Sequence, residues 1–390
     1  MRILYITTNL FQRSNSAAIR NTALIKGLLS NDTSITILTV DVRAEMKGNS
    51  IVTNFDKCKI LSYDLGLERY QRLGNKSNTK STLINNVIKK LKTIVKDYFF
   101  FPDNYKGFIK AVMNDDHSNY DLIISSSDLK SSHFAALEIV KKYGYQGKWI
   151  QIWGDPWHRD INLKKNMVGF VKKKEYKMLK EADHIVYVSE PTLRLCVADF
   201  PDLASKMSYI PRSFFKEVIV DRNLSKESVS ILYTGILGDN RDIYTFLNSI
   251  DEKIFNLRMY GNYSNEELKK LCKYKNVKTF ESVDYECVLE EISKSDVLLY
   301  LGNKGEGSQI PGKLFDYLGS NLPIVCLVYD KEDEVSVFLK SLKNVFLVSY
   351  EEIERNEGIS ENMIKFIKSS FQIDETYSPK NIANKILKLL

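Results

Sequence analysis

The chain has 390 residues, 44% of them hydrophobic, which is more than one core usually organises and too apolar for a disordered protein. Lys and Arg number 56 against 49 Asp and Glu, a formal charge of +7; this mild excess favours an anionic ligand or surface without choosing among nucleotide, nucleic acid and membrane. Five scattered cysteines with no C-x-x-C pair, and four histidines without ligand spacing, exclude a disulfide framework and a recognisable zinc motif. No apolar run approaches the length that spans a bilayer, and the first residues enter a strand with no signal-peptide pattern. The expectation is a cytoplasmic, two-domain protein.

In chain order, "ILYIT" (residues 3–7) reads as a strand, "SAAIRNTALIKGLL" (16–29) as a helix and "ITILTV" (35–40) as a strand. Between residues 69 and 96 there is no acidic residue, while Arg69, Arg72, Lys76, Lys80, Lys89, Lys90, Lys92 and Lys96 fall inside. There Ile84, Val87, Ile88, Leu91, Ile94, Val95, Tyr98 and Phe99 recur at helical spacing, so one apolar face opposes a lysine face, a pattern suited to an anionic membrane surface. "LIISS" (122–126), a helix over 130–142, "KWIQIW" (148–153), a helix over 167–181 and "HIVYVS" (184–189) complete the first half. A second basic run, Lys164, Lys165, Lys172, Lys173, Lys174, Lys177 and Lys180, lies in the same half.

After Pro211 the pattern lapses over residues 211–228, which read as a linker. It restarts with "SILYTG" (230–235), "FNLRMYG" (255–261), "NVKTFE" (276–281), "DVLLYL" (296–301) and "PIVCLV" (323–328), with helices between. Short continuous apolar strands separated by helices predict parallel sheets covered on both faces. The predicted fold is α/β, two Rossmann-like doubly wound domains facing across a cleft, with residues 1–212 the first domain, 213–375 the second and 376–390 a C-terminal helix. The first loop, "TNLFQRSNSAAIR" (8–20), has no glycine, so the dinucleotide fingerprint is missing; a Walker A loop and a G-x-S-x-G elbow are missing too. No recognised nucleic-acid motif accompanies the basic excess.

The densest chemistry lies in "GEGSQIPGKLFDYLGS" (305–320). Pro311 suits a helix start, and the first N–H groups of that helix, at Gly312, Lys313 and Leu314, have no partners in an ideal helix. Glycines let a phosphate approach the backbone, Lys313 adds a full charge, and Asp316, one turn on, can accept both hydroxyls of a ribose. The stretch reads as a diphosphate-plus-ribose grip, against the alternative of an ordinary βαβ crossover with solvated Lys and Asp.

This run, I-P-G-K-L-F-D-Y-L-G-S-N-L-P-I-V, resembles the nucleotide-sugar signature of glycosyltransferase family 4, whose fold is GT-B. The likeness continues in "ILYTGILGDNR" (231–241), similar to the family's glycine loop, in "EADHIVYVSEPT" (181–192), in "YIP" (209–211), and in "QIWGDPW" (151–157), which resembles a segment of relatives that build bacterial surface polysaccharides. The resemblance implies a retaining, metal-independent, hexosyltransferase-type enzyme. It would move a sugar from a nucleoside-diphosphate sugar, UDP-linked by expectation, to a glycan or lipid-linked acceptor in cell-surface polysaccharide or glycoconjugate assembly. The alternatives are a catalytically silent scaffold subunit and a nucleotide-sugar epimerase on the same fold. No metal or other cofactor and no nucleic-acid partner is expected. By the same resemblance the first domain is the acceptor side, the second binds the nucleotide and residues 376–390 pack back on the first. The expected site of work is the cytoplasm, with the 84–99 pattern read either as a contact with the inner face of the membrane or as a helix packed on its own domain with solvated lysines.

By the same resemblance Asp155, Lys313, Arg241 and Glu306 carry catalysis. Gly235, Gly261, Ser308, Gln309, Ile310, Pro311, Gly312, Lys313, Leu314 and Asp316 hold the donor, and Ser14, Ser16, Arg20, Asp103 and His158 lie on the acceptor side. Two departures stand out. The family's first acid would fall at Ser308, whereas Glu306 is two positions early, and the glycine-rich first loop is replaced by Ser14, Asn15, Ser16 and Arg20.

Overall fold

The computed structural model describes residues 1–10, 15–41, 55–65, 101–127, 129–160, 162–223, 227–238, 240–305, 310–355 and 361–390. Two parallel sheets form its frame. The first joins β1 (Arg2–Ile6), β2 (Ser34–Val40), β3 (Cys58–Tyr63), β4 (Leu122–Ser126), β5 (Lys148–Trp153), β6 (His184–Tyr187) and β7 (Met207–Tyr209) in the order β3-β2-β1-β4-β5-β6-β7. The second joins β8 (Val229–Thr234), β9 (Phe255–Tyr260), β10 (Val277–Phe280), β11 (Val297–Leu301), β12 (Ile324–Val328) and β13 (Val345–Ser349) in the order β10-β9-β8-β11-β12-β13. The central strands are buried along nearly their whole length, as β4, β11 and β12 are at every residue, which is why they read as unbroken apolar runs. In each sheet the order reverses beside the first strand, between β1 and β4 and between β8 and β11. Loops diverge there and leave a crevice at the carboxyl ends of the strands.

The helices that bear on function are α1 (Ser16–Leu29), α2 (Ser131–Tyr143), α3 (Val168–Glu181), α4 (Glu190–Asp199), α5 (Tyr285–Ser293), α6 (Gly312–Leu318) and α7 (Pro379–Leu387). Asn15 caps α1 by accepting from Ala18 N at 2.8 Å. In the next turn Asn21 is buried and accepts from Tyr5 Oη at 3.0 Å and Ser126 Oγ at 2.7 Å, so it locks α1 to the ends of β1 and β4. Among the described residues no helix is long and apolar enough to cross a membrane.

The two domains share apolar packing. Ala18, Ile19 and Ala23 of α1 belong to the same buried cluster as Leu314, Phe315 and Leu318 of α6 and Phe214, Phe215 and Val218. Within the stretch expected to be a linker, where Lys216 and Glu217 are exposed, Phe214, Phe215 and Val218 are therefore core: Phe214 N–H donates to Tyr377 O at 3.1 Å and Val218 N–H to Gly319 O at 2.8 Å. Their aromatic and branched side chains explain the difference, since exposing them would leave a large apolar patch. On the other face of α1, Leu24, Ile25 and Leu28 pack with Ile382, Ala383 and Ile386 of α7. The amphipathic pattern at 84–99 lies outside the described residues.

The α1–α7 contact is close at Gly27, where an added β-carbon would overlap the Pro379 carbonyl. Gly27→Ala is expected to lower stability by about 1–3 kcal/mol, the usual cost of overpacking. The variant should also make the chain near residues 370–378 more sensitive to limited proteolysis. Unchanged denaturant unfolding and an unchanged digestion pattern would show that α7 does not hold α1.

Candidate active site

The chain ends β8 at Thr234 and β11 at Leu301, and the two following loops meet over the reversal point of the second sheet. Arg241 ties them together, with Nε donating to Asn303 Oδ1 at 2.8 Å and Nη1 to Ile236 O at 3.2 Å; Lys304 N–H adds a bond to Asn240 O at 2.8 Å. Beside this tie lies a cleft of about 300 Å³. Thr234–Ile236, Tyr260–Asn262, Ser282, Tyr285, Gly312, Lys313 and Asp316 line it from the second domain, and Ser16 and Ile19 of α1 with Arg212 close it from the other side.

Lys313 reaches back from α6 to the end of β8. Its amine donates to Thr234 O at 2.7 Å and stands 4.4 Å from the centre of the Tyr233 ring. Burial, reinforced by the Arg241 charge, pulls its pKa down to about 7. Gly235 makes room for it: φ is +143°, and a side chain there would collide with the Lys313 amine. Tyr317 secures the same corner, its hydroxyl 2.9 Å from Thr234 Oγ1 and accepting from Thr234 N at 3.1 Å. Gly261 follows β9 and packs directly against the Gly235 carbonyl.

Asp316 is buried on the same helix and accepts from Tyr285 Oη at 2.7 Å, at the start of α5. Burial raises its pKa to about 6, although the Arg212 charge and the Tyr285 hydrogen bond both oppose that rise. Arg212 lies at the junction of the domains. Its Nη1 donates to Ser16 Oγ at 2.6 Å, and its guanidinium carbon is 5.7 Å from the centre of the Phe315 ring. Gly312 allows this approach, because a β-carbon there would run into both the guanidinium and the Ser16 hydroxyl. A half-buried amine, a buried carboxylate and a guanidinium thus converge on one cleft. The two cations can donate to an anion, and the carboxylate can accept from a diol.

Of the residues expected to act, Ser16, Gly235, Gly261, Gly312, Lys313 and Asp316 meet at the cleft, and Arg241 stands at its rim as a loop tie. Pro311 caps α6, and Ile310 packs on the core shared with α1. The expectation for Leu314 needs correction: its N–H donates to Pro311 O at 3.1 Å and its side chain is in the core. At seven residues α6 is also short, so its dipole is a minor source of positive charge beside Lys313 and Arg212. Glu306, Ser308, Gln309 and Ser14 lie outside the described residues.

The remaining first-domain candidates are held in structural contacts. His158 is buried between carboxylates, Nδ1 2.7 Å from Glu175 Oε2 and Nε2 2.9 Å from Asp199 Oδ2. Burial lowers its pKa, but the two carboxylates outweigh that and leave it raised. Asp103 caps α2, accepting from Ser131 N at 2.8 Å and Ser131 Oγ at 2.6 Å. Arg20 is buried and donates to the Ser127 carbonyl and the Ser126 hydroxyl. Asp155 is half-buried in the loop after β5, where its carbonyl accepts from Lys130 Nζ at 3.5 Å. Neither His158, Asp103, Arg20 nor Asp155 lines the cleft. Arg212, Tyr285 and Tyr317 are the functional-looking residues that the sequence reading missed. Arg212 is the only one with a local signal, a cation directly after the last strand of the first domain.

No family model matches the chain, and no curated protein matches it either. Solved structures do. The catalytic domain of starch synthase IV from Arabidopsis thaliana, bound to ADP and acarbose, aligns with a TM-score of 0.62 at 9% identity, covering 100% of this chain and 98% of that one. HepE from Anabaena, in complex with UDP and glucose, aligns at 0.56 and 10% identity, with 100% and 98% covered. The apo lipopolysaccharide outer core galactosyltransferase WaaB aligns at 0.52 and 13% identity, with 100% of each chain covered. At such identities the likeness is one of fold, and it agrees with the two sheets traced above: the chain has the GT-B fold.

Proposed function

We propose that this chain is a glycosyltransferase that takes a nucleoside-diphosphate sugar into the cleft between its domains and passes the sugar to an acceptor hydroxyl. The observation that carries the reading is the pairing of half-buried Lys313 and buried Asp316 on one turn of α6, both lining a single cleft at the reversal point of the second sheet. The diphosphate lies against the Lys313 amine and the Arg212 guanidinium, and the ribose hydroxyls donate to Asp316. The GT-B fold and the nucleotide-bound neighbours support this assignment.

In the reaction the bond from the anomeric carbon to the phosphate oxygen breaks, and a bond to the acceptor oxygen forms on the same face, so configuration is retained. The acceptor proton passes to the departing diphosphate. The protein's task is to stabilise charge that grows on phosphate, which fixed cations in a dry cleft do well. Lys313, Arg212 and Arg241 supply that charge in our reading, so no metal is required. A UDP-linked hexose is the first donor to test, and a glycan or lipid-linked intermediate of surface polysaccharide assembly is the first acceptor class. Calorimetry with UDP-, GDP- and TDP-sugars, followed by NMR of the product, tests the whole reading. Failure of every nucleotide to bind would end it, and binding without turnover would leave a scaffold subunit.

Three outcomes follow for the cleft. Lys313→Ala should weaken nucleoside-diphosphate binding at least tenfold, since a hydrogen bond to a charged group contributes about 1.5–3 kcal/mol. The free amine has a pKa of about 7 and an incoming diphosphate favours its charged form, so binding takes up a proton. Affinity is then full below about pH 7 and falls by up to about tenfold per pH unit above it. Asp316, at about 6, must ionise to accept fully, so affinity also falls below pH 6. A pH-independent dissociation constant in calorimetry between pH 5 and pH 8 would contradict both assignments.

Asp316→Asn should raise the donor KM while leaving kcat nearly unchanged, because the ribose contact is remote from the breaking bond; a loss confined to kcat would remove Asp316 from the ribose. Transfer should also survive a chelator, and abolition by EDTA with rescue by manganese would overturn the metal-free mechanism.

A further inference from the structure

A second hollow, of about 690 Å³, lies away from the cleft on the outer side of the first domain, between α3 and the end of α4. Phe170, Tyr176 and Phe200 give it an apolar floor, and Lys173, Lys174 and Lys177 stand around it. Two acids also line it: Asp199 is neutralised by an arginine and a lysine, while Asp202 is exposed and takes a tyrosine hydroxyl, so four lysines face two acids. Asp199 accepts from Arg159 Nε at 2.6 Å, His158 Nε2 at 2.9 Å and Lys172 Nζ at 2.9 Å, while Asp202 accepts from Tyr176 Oη at 2.6 Å. Among the described residues Lys173, Lys174 and Lys177 form no ion pair. Lys173 and Lys177 are exposed and four residues apart, with exposed Lys180 continuing the stripe, and Val171, Met178 and Leu179 of the same helix are core.

We propose that this hollow docks the protein on a bilayer carrying anionic phospholipid, headgroup phosphates on the lysine stripe and acyl carbons over the aromatic floor. A free phosphate would satisfy the lysines but leave the apolar floor wet. A single-stranded nucleic acid needs ring faces on which to stack, yet the faces here are roofed by ammonium groups: Lys172 lies 5.4 Å from the centre of Phe200 and Lys174 5.5 Å from that of Phe170. Lipid chains need no ring face, and lysines on an interfacial helix extend their amines toward headgroups while their stems stay on apolar surface. The inference does not depend on the nucleotide assignment.

Sedimentation with phosphatidylcholine vesicles, with and without phosphatidylglycerol, tests it. The full-length chain should pellet with the anionic vesicles, not with the neutral ones, and excess UDP should not release it. Lys173→Glu/Lys177→Glu should weaken binding at least tenfold. Lys173→Arg/Lys177→Arg should keep it, and matching melting curves exclude misfolding as the cause. Anionic-vesicle binding that survives the charge reversal would overturn the proposal, as would equal binding to neutral vesicles. So would a chain that binds inorganic phosphate through these lysines but no vesicle.

Discussion

The site depends on an electrostatic imbalance. Half-buried Lys313 and buried Asp316 stand on the same short helix, yet they do not neutralise each other: the amine faces a carbonyl and the carboxylate faces a phenol. Ionising either group out of water is costly, and each responds by shifting toward its neutral form. In the proposed reading an incoming diphosphate favours the charged lysine, and a diol supplies donors to the aspartate. The glycine at 235, the clamp from Tyr317 and the loop tie made by Arg241 hold the corner in which the amine stands.

The second constraint is that both domains must be present for the cleft to exist. Arg212 and Ser16 stand against Gly312 at a distance that only a missing β-carbon permits. Behind them α1 contributes to a core shared with α6, so the contact between domains is apolar and continuous. Where domains meet through a wet, polar surface, free relative motion is the default. Here the two walls of the cleft share one apolar core through α1 and α6, so motion of one half carries the other with it.

The sequence made the sheets legible because buried parallel strands read as plain apolar runs, and β4 and β5 fall on the residues expected. It hid β3 and β13, whose patterns are mixed, and touched β7 only at Tyr209. That Gly312, Lys313 and Asp316 share one site was readable because they are nearly contiguous. Arg212 and Tyr285 were not, because they reach the cleft from segments 100 and 31 residues away from Gly312 and Asp316 respectively, and only the folded topology brings them in. His158, expected on the acceptor side, has partners that a lone histidine in the sequence does not announce. Glu175, which makes it structural, is on α3 and accepts from the Trp157 and His158 N–H groups as well as from the ring.

The packing of α7 on α1 has a consequence for the order in which the molecule is assembled. During synthesis α1 emerges well before α7, with an apolar face formed by Leu24, Ile25 and Leu28, and the residues that cover this face follow only after the second sheet has been made. Domains usually fold as units as they emerge, N-terminal first. The first domain here must wait, with one helix face open, while the entire second domain is made. Its completion is a late, long-range event, and the nascent chain presents a binding surface for chaperones throughout that interval.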